Sequence, residues 1–296
     1  PHILNGMIGE FTVINGANTQ TYVPDDNFEQ DLINLGYDNV LDDYVTTANI
    51  NTVTLLNVSY KNIADLTGIE DFTALTYLLL VANQLTSLDV SQNTALTTLI
   101  CDNNQLTSLD VSNNTALTYL NCFDNQLTSL DVSNNTALTH LGCGSNQLTS
   151  LDVSQNTALI QLICGYNQLT SLDVSNNTAL TGLDCDNNQL STLDVSNNTA
   201  LTNLSCSNNS LFSLDLRNGN NINMNLFAVN NNLTCIAVDD FMWAINNWTS
   251  NVPSTSYFSN NCGIPGCGTS TGIQELAKDK TLNKIINVLG QPTKGT

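Results

Sequence analysis

The feature that most constrains this chain is a 21-residue unit that recurs almost unchanged. The string Leu117-Thr-Tyr-Leu120-Asn-Cys122-Phe-Asp-Asn125-Gln-Leu127-Thr-Ser-Leu130-Asp-Val132-Ser-Asn-Asn135-Thr-Ala137 restarts 21 residues later at Leu138, and related units start at Leu96, Leu159, Leu180 and Leu201. Self-similarity at such a period marks a stack of like units. In an extended segment successive side chains point to opposite faces. Leu120 and Cys122 therefore point inward, Tyr119, Asn121 and Phe123 outward, and Leu127, Leu130 and Val132 turn inward from the return path. A single coil cannot bury its own apolar face, so order comes from stacking. Neighbouring strands are expected side by side and parallel, about 4.8 Å apart.

The string matches the leucine-rich repeat, L-x-x-L-x-L-x-x-N-x-L, with Cys in the third Leu slot. The expected fold is a β-dominated α/β solenoid, a right-handed superhelix with a parallel concave sheet and caps at both ends. Aromatics make up only 6% of the chain, so the core must be aliphatic. Charged residues are only 11%, and Asn, Thr and Ser take their place. Two Asn columns, Asn83 through Asn209 and Asn93 through Asn198, are expected to satisfy backbone groups of adjacent coils.

Six of the nine cysteines fall on the repeat: Cys101, Cys122, Cys143, Cys164, Cys185 and Cys206. They are expected to face inward as buried thiols, small hydrophobes rather than ligands, because metal-type C-x-x-C spacing is absent. Parallel Cβ vectors in stacked strands suit disulfides poorly. Cys235, Cys262 and Cys267 break the period. A Cys235–Cys262 bond would staple a cap over the last coil, and Cys262–Cys267 is the alternative pair. Either bond implies an oxidising compartment.

The Ser-Leu-Asp-Val-Ser stretch also alternates, placing Asp89, Asp110, Asp131, Asp152, Asp173 and Asp194 outward, with a second short parallel sheet expected there. Hydrogen bonds from Ser, Thr or backbone N–H groups are expected to offset their mutual repulsion. A calcium ladder through Asp110, Asp131 and Asp152 is the sharper alternative, disfavoured because each coil offers a single carboxylate. No cofactor is expected.

The ends divide as follows. Residues 1–20 are set aside as a leader, with Met7-Ile8-Gly9-Glu10-Phe11 reading as a vector-derived scar. An N-terminal cap spans 21–52, with a helix over Pro24–Gly36 capped by Asp25 or Asp26, ended by Gly36, and apolar along Phe28, Leu32 and Leu35. Repeats of 21–22 residues span 53–233, the first coil beginning near Val53 with Leu56 and Val58 inward. A disulfide-stapled cap spans 234–267, with a helix over Val238–Trp248 whose core candidates are Phe241, Trp243, Ile245 and Trp248. Residues 268–296 are a linker and tail.

The unit with Cys in its strand resembles the cysteine-ladder branch of the bacterial internalins, and the Ile63–Phe72 return resembles the ordinary internalin return. The Pro24–Gly36 opening followed by Asn-Gln-Leu-Thr-Ser-Leu-Asp-Val units is similar to surface repeat proteins of Bacteroidetes. The tail Lys280-Thr-Leu-Asn-Lys-Ile-Ile-Asn-Val-Leu-Gly290-Gln-Pro-Thr-Lys294 resembles the start of a type IX secretion sorting domain, without its later strands. These resemblances imply a secreted or outer-surface protein. They do not specify a ligand, because internalin-like surfaces bind different partners.

Function is expected on the outward strand positions, which vary while the scaffold repeats. They are apolar and aromatic in the first half and polar and acidic in the later half. Tyr77, Leu79, Ile100, Tyr119, Phe123, His140, Tyr166, Asp184 and Asp186 are the candidate ligand-binding residues, suited to a protein or a glycan. A structural surface-layer or matrix component without a specific ligand is the competing reading. A net charge of -20 opposes nucleic acid and anionic lipid. No run reaches transmembrane length, and a monomer is expected. Catalysis is not expected: the chain has only two histidines, His2 and His140, and no hydrolase, metalloprotease or P-loop string.

Overall fold

The computed structural model describes residues 19–262. Cys267, the tail beyond it and most of the leader lie outside them. The chain opens with β1 (Gln20–Tyr22), α1 (Asp26–Asn34), β2 (Tyr44–Thr46) and the short α2 (Thr47–Ile50). β1 pairs antiparallel with β2, so ordered structure begins inside the segment set aside as a leader. Thr47 N–H also donates to Thr19 O at 2.9 Å, which extends the β1–β2 ladder by one residue.

Asp25 caps α1, accepting from the N–H groups of Asn27 and Phe28, each at 3.0 Å. Its other oxygen accepts from Ala64 and Asp65 N–H at 2.8 and 3.0 Å. One carboxylate thus starts the cap helix and ties it to the return of the first coil. Phe28 and Leu32 are buried as expected, but Leu35 is exposed. It stands at the C-cap, just before Gly36 turns into the left-handed region at φ 82°, and the chain leaves the core there. Glu29 is buried instead, its carboxylate accepting from Asp42, Asp43 and Tyr44 N–H.

The repeats supply β3 (Leu55–Asn57), β4 (Tyr77–Leu79), β5 (Thr98–Ile100), β6 (Tyr119–Asn121), β7 (His140–Gly142), β8 (Gln161–Ile163), β9 (Gly182–Asp184), β10 (Thr192–Asp194), β11 (Asn203–Ser205), β12 (Ser213–Asp215) and β13 (Asn225–Phe227). All but β10 and β12 form one nine-stranded sheet, in the order β13-β11-β9-β8-β7-β6-β5-β4-β3. Every neighbouring pair in it is parallel. The register is a single column of leucine: Leu56, Leu78, Leu99, Leu120, Leu141, Leu162, Leu183, Leu204 and Leu226. The fold is a parallel-sheet solenoid of about ten turns.

Inside, the six repeat thiols are free and fully buried. The Asn columns behave as the backbone demands. Asn125 Nδ2 donates to Cys101 O and Cys122 O, and its Oδ1 accepts from Leu106 N. Asn135 Nδ2 donates to Val111 O and Asn114 O, each at 2.9 Å. These bonds pair the carbonyls and amides that a turn leaves without sheet partners.

β14 (Cys235–Ala237), α3 (Phe241–Trp248) and β15 (Tyr257–Ser259) close the described chain. The second sheet is four-stranded, β10-β12-β14-β15. It spans only the C-terminal coils, and the earlier Asp positions show one isolated bridge, Asp89 to Asp110. Cys235 and Cys262 are bonded, with Cα atoms 5.8 Å apart. Of the four helix residues expected in the core, Trp248 is buried, while Phe241, Trp243 and Ile245 are half-buried against it; Ala244, on the same helix, is also buried. An eight-residue helix at the end of a stack has only one side to bury.

Candidate binding face

The outward face of the nine-stranded sheet is the candidate site. Pairing places its side chains in rows: Tyr77, Thr98, Tyr119, His140 and Gln161 in one, and Leu79, Ile100, Asn121, Gly142, Ile163 and Asp184 in the next. Tyr77, Tyr119, Ile163 and Tyr166 are exposed, whereas Leu79, Ile100, Phe123, His140, Asp184 and Asp186 are half-buried. The Tyr119 and His140 rings stack, centroids 5.5 Å apart and planes at 23°. His140 Nδ1 and the Thr139 hydroxyl lie 2.9 Å apart.

Glycines at the middle of the sheet let neighbouring side chains lie flat. A Cβ at Gly144 would stand 2.9 Å from the Phe123 ring, and one at Gly142 would stand 2.7 Å from Asn121 Oδ1. One at Gly165 would meet Asp184 Oδ1 at 2.9 Å. Phe123 and Asn121 thus lean onto β7's coil from one side, and Asp184 leans onto β8's coil from the other. The result is a set of side chains already held in place before any ligand arrives, which lowers the ordering cost of binding.

The acidic end is equally fixed. Asp184 Oδ1 accepts from Asp186 N–H at 3.0 Å, and Asp186 Oδ2 accepts from the Ser205 hydroxyl at 2.7 Å. Burial pushes the Asp186 carboxyl above the usual carboxylate range; the Ser205 bond opposes this and the Asp184 charge adds to it.

Directly after the strands one residue per coil adopts a left-handed conformation. Asn fills this place at Asn103, Asn187, Asn208 and Asn230, but Tyr60 (φ 62°) and Tyr166 (φ 56°) also occupy it. An aromatic residue pays a local backbone penalty there that Asn largely avoids, yet both rings project into solvent, 73% and 61% exposed. Tyr60, Ile160, Leu55 and Phe227 are exposed residues around this face that the candidate set omitted. The repeat pattern itself carried the signal: Ile160 stands where the units otherwise have Thr, and Phe227 follows a unit lengthened by one residue.

The flank carboxylates do not gather. Asp110, Asp131 and Asp152 each accept from the N–H of the Ser two residues on, at 2.9, 2.9 and 2.8 Å. The Ser hydroxyl and N–H hold each carboxyl below its ordinary range. Among the described residues no group of three or more acidic, His or Cys side chains is arranged to hold a metal ion.

A family model described as the LVIVD repeat matches residues 117–143. Internalin J of Listeria monocytogenes serotype 4b (strain F2365) is 44% identical over 85 residues, which are 28% of this chain and 9% of that protein. The solved functional domain of Listeria monocytogenes internalin J, described as including a cysteine ladder, aligns with a TM-score of 0.68 and 41% identity over 75% of this chain and 52% of the other. The chain thus spans about half of that domain. Internalin C2 of the same species aligns with a TM-score of 0.59 at 22% identity, over 73% of this chain and 94% of its own, and shares the fold alone. The repeats of this chain are homologous to the cysteine-ladder leucine-rich repeats of internalin J.

Proposed function

We propose that the chain is the recognition portion of a secreted or cell-surface adhesion protein, and that the outward face from β4 to β9 holds a protein partner. The observation that carries this reading is the stacked Tyr119–His140 pair, with Phe123 laid against Gly144 and Ile163 and Tyr166 exposed nearby, on a solenoid whose scaffold positions repeat. Pre-set aromatic anchors of this kind supply most of the energy of protein interfaces. Five inter-strand steps of about 4.8 Å make the face from β4 to β9 about 24 Å long. No outward position on the nine strands carries Lys or Arg, so a cationic patch on the partner complements Asp184 and Asp186.

Several observations support the setting. The Cys235–Cys262 bond fits an oxidising compartment. No helix among the described residues is long and apolar enough to cross a membrane. Binding accounts for the site better than catalysis does. Asp184 at the end of β9 and Asp186 two residues on lie side by side on one coil, Asp184 Oδ1 and Asp186 Oδ2 already hydrogen-bonded, not across a cleft as paired catalytic carboxylates require.

The test is capture of surface and matrix proteins by the chain and by a Tyr119→Ala/Phe123→Ala double variant. Specific capture that the double variant weakens at least about tenfold supports the face. Capture unchanged in the variant removes it. A chain that captures nothing favours a structural surface-layer role, to which the uniform Asn and Asp columns on the flanks are suited.

A further inference from the structure

A second concavity lies at the C-terminal end of the solenoid, independent of the aromatic stack. β13 is the terminal strand of the large sheet, and α3 packs beside it. Between them is a cavity of about 260 Å³ whose lining includes Ile222, Phe227 and Trp243 on the apolar side and Asn223, Asn225 and Asn247 on the polar side. None of its lining residues is charged. Phe227 is about 24 Å from the Tyr119 strand, counting five inter-strand steps.

The apolar wall is rigid. Trp248 is buried at 2% exposure and donates its Nε1–H to Met224 O at 3.2 Å. Trp243 meets it edge-on, ring centroids 5.2 Å apart at 89°, which braces Trp243 and leaves it half-exposed. The Asp240 side chain accepts from Trp243 N–H at 2.9 Å, fixing the start of the helix that carries the ring.

The polar wall presents acceptors. Asn247 Nδ2 donates to Trp243 O, Asn225 Nδ2 to Asn203 Oδ1 and Asn223 Nδ2 to Asn220 Oδ1. Each amide spends an N–H on the protein and keeps its Oδ1 without a donor among the described residues. In a parallel pair each residue directs its N–H and C=O to one side. Asn225 N–H and Phe227 C=O bond toward β11, so Leu226 turns its N–H and C=O toward α3. An added peptide strand would need the flanking edge groups too. Those are taken: Ala228 N–H donates to Asn251 O at 2.8 Å, and Met224 O accepts from Trp248.

We propose that this pocket binds a neutral pyranose unit of a glycan, its apolar ring face on Trp243 and its hydroxyls on the amides of Asn223, Asn225 and Asn247. Sugar hydroxyls both donate and accept, which matches free carbonyl oxygens beside a backbone N–H. A purely apolar ligand would strand those amides without water, and the absence of charge disfavours an ionic ligand. The volume lies just under the range of about 300–1,000 Å³ typical of drug-sized ligands, a size for one or two rings.

Trp243 and Trp248 are the only tryptophans in the chain, so its tryptophan emission reports this pocket alone. The full chain is titrated with chitotetraose, cellotetraose, mannotetraose and xylotetraose. A saturable change in emission is expected with at least one, at concentrations below about 1 mM. By calorimetry, Trp243→Ala and the surface change Phe227→Ala are each expected to weaken that sugar about tenfold, while Tyr119→Ala/Phe123→Ala leaves it unchanged. Raising salt from about 50 to about 500 mM is expected to leave the affinity unchanged. The proposal is overturned if none of the four sugars gives saturable change up to about 10 mM. It is also overturned if binding survives both pocket variants, is lost at high salt, or disappears in the Tyr119/Phe123 double variant.

Discussion

Asn125 of one coil holds the carbonyl of Cys101 in the coil before it, Nδ2 to O, at 3.1 Å. The same amide takes Leu106 N–H at 2.9 Å and reaches Cys122 O at 3.2 Å. A single side chain therefore satisfies buried groups of two coils, and the column repeats it. Asn125→Ala strands these groups at about 1–3 kcal/mol each, so a loss of roughly 3 kcal/mol or more is expected. Asn134 is exposed and reaches Ser112 O only at 3.4 Å; Asn134→Ala is expected to change stability by less than about 0.5 kcal/mol. Urea unfolding of the two variants checks the contrast, and equal losses would argue against the column.

The thiol column makes stability sensitive to base. Burial pushes the Cys122 thiol up to about 12, and raises Cys101, Cys143, Cys164, Cys185 and Cys206 as well. An unfolded thiol ionises near 8.5. The fold favours the protonated form, so the contribution of each thiol is complete below that value and is lost as pH climbs toward the folded value. Within the window each thiol removes about 1.4 kcal/mol per pH unit. The thermal midpoint is expected to fall steeply above about pH 9, and less steeply in a variant with Cys122, Cys143 and Cys164 all changed to Ala. Superimposable profiles would contradict the burial of the column.

Gly144 tests whether the position of Phe123 matters. Ala there would put a Cβ 2.9 Å from both Gly165 O and the Phe123 ring. The ring can swing away, while the strand backbone cannot. Gly144→Ala is expected to weaken the protein partner about as much as Phe123→Ala does, with a stability loss of about 1–2 kcal/mol. Normal capture by a folded Gly144→Ala variant would show that the ring's placement is unimportant.

The Cys235–Cys262 bond closes a segment of 27 residues that contains α3 and β15. Cys262→Ala is expected to cost roughly 2–4 kcal/mol. The loss should be local, with amide exchange rising first in β14, α3 and β15 and last around β6 and β7. Uniform acceleration along the whole chain would mean that the cap and the repeats unfold as one unit.

Much of this architecture was legible because the period of two in a strand and the period of 21 in the chain leave little freedom. Once Leu120 and Cys122 are placed inside, Tyr119 and Phe123 must face out. The Asn columns followed from chemistry local to a turn. Local chemistry narrowed the helix cap to Asp25 or Asp26 and the staple to Cys235–Cys262 or Cys262–Cys267, and the fold selects Asp25 and Cys235–Cys262. The features that escaped depend on neighbours brought together only by stacking. Gln20 joins a ribbon through Thr46, a residue far along the chain. Leu35 fits the helical stripe but sits where Gly36 turns the chain outward. The lean of Phe123 over Gly144 and of Asp184 over Gly165 needs the register between coils, and the Trp243 pocket needs the fold of the cap beside β13. None of these is written in a single unit.

The most direct measurement is maleimide labelling of the native chain at neutral pH, read by peptide mass spectrometry with and without denaturant. Cys101, Cys122, Cys143, Cys164, Cys185 and Cys206 are expected to stay unlabelled in the folded chain and to react fully once it is unfolded. Native labelling at the rate of an open thiol, at even one of the central positions, would reverse the inward and outward assignment of that strand and with it the face that carries Tyr119 and Phe123.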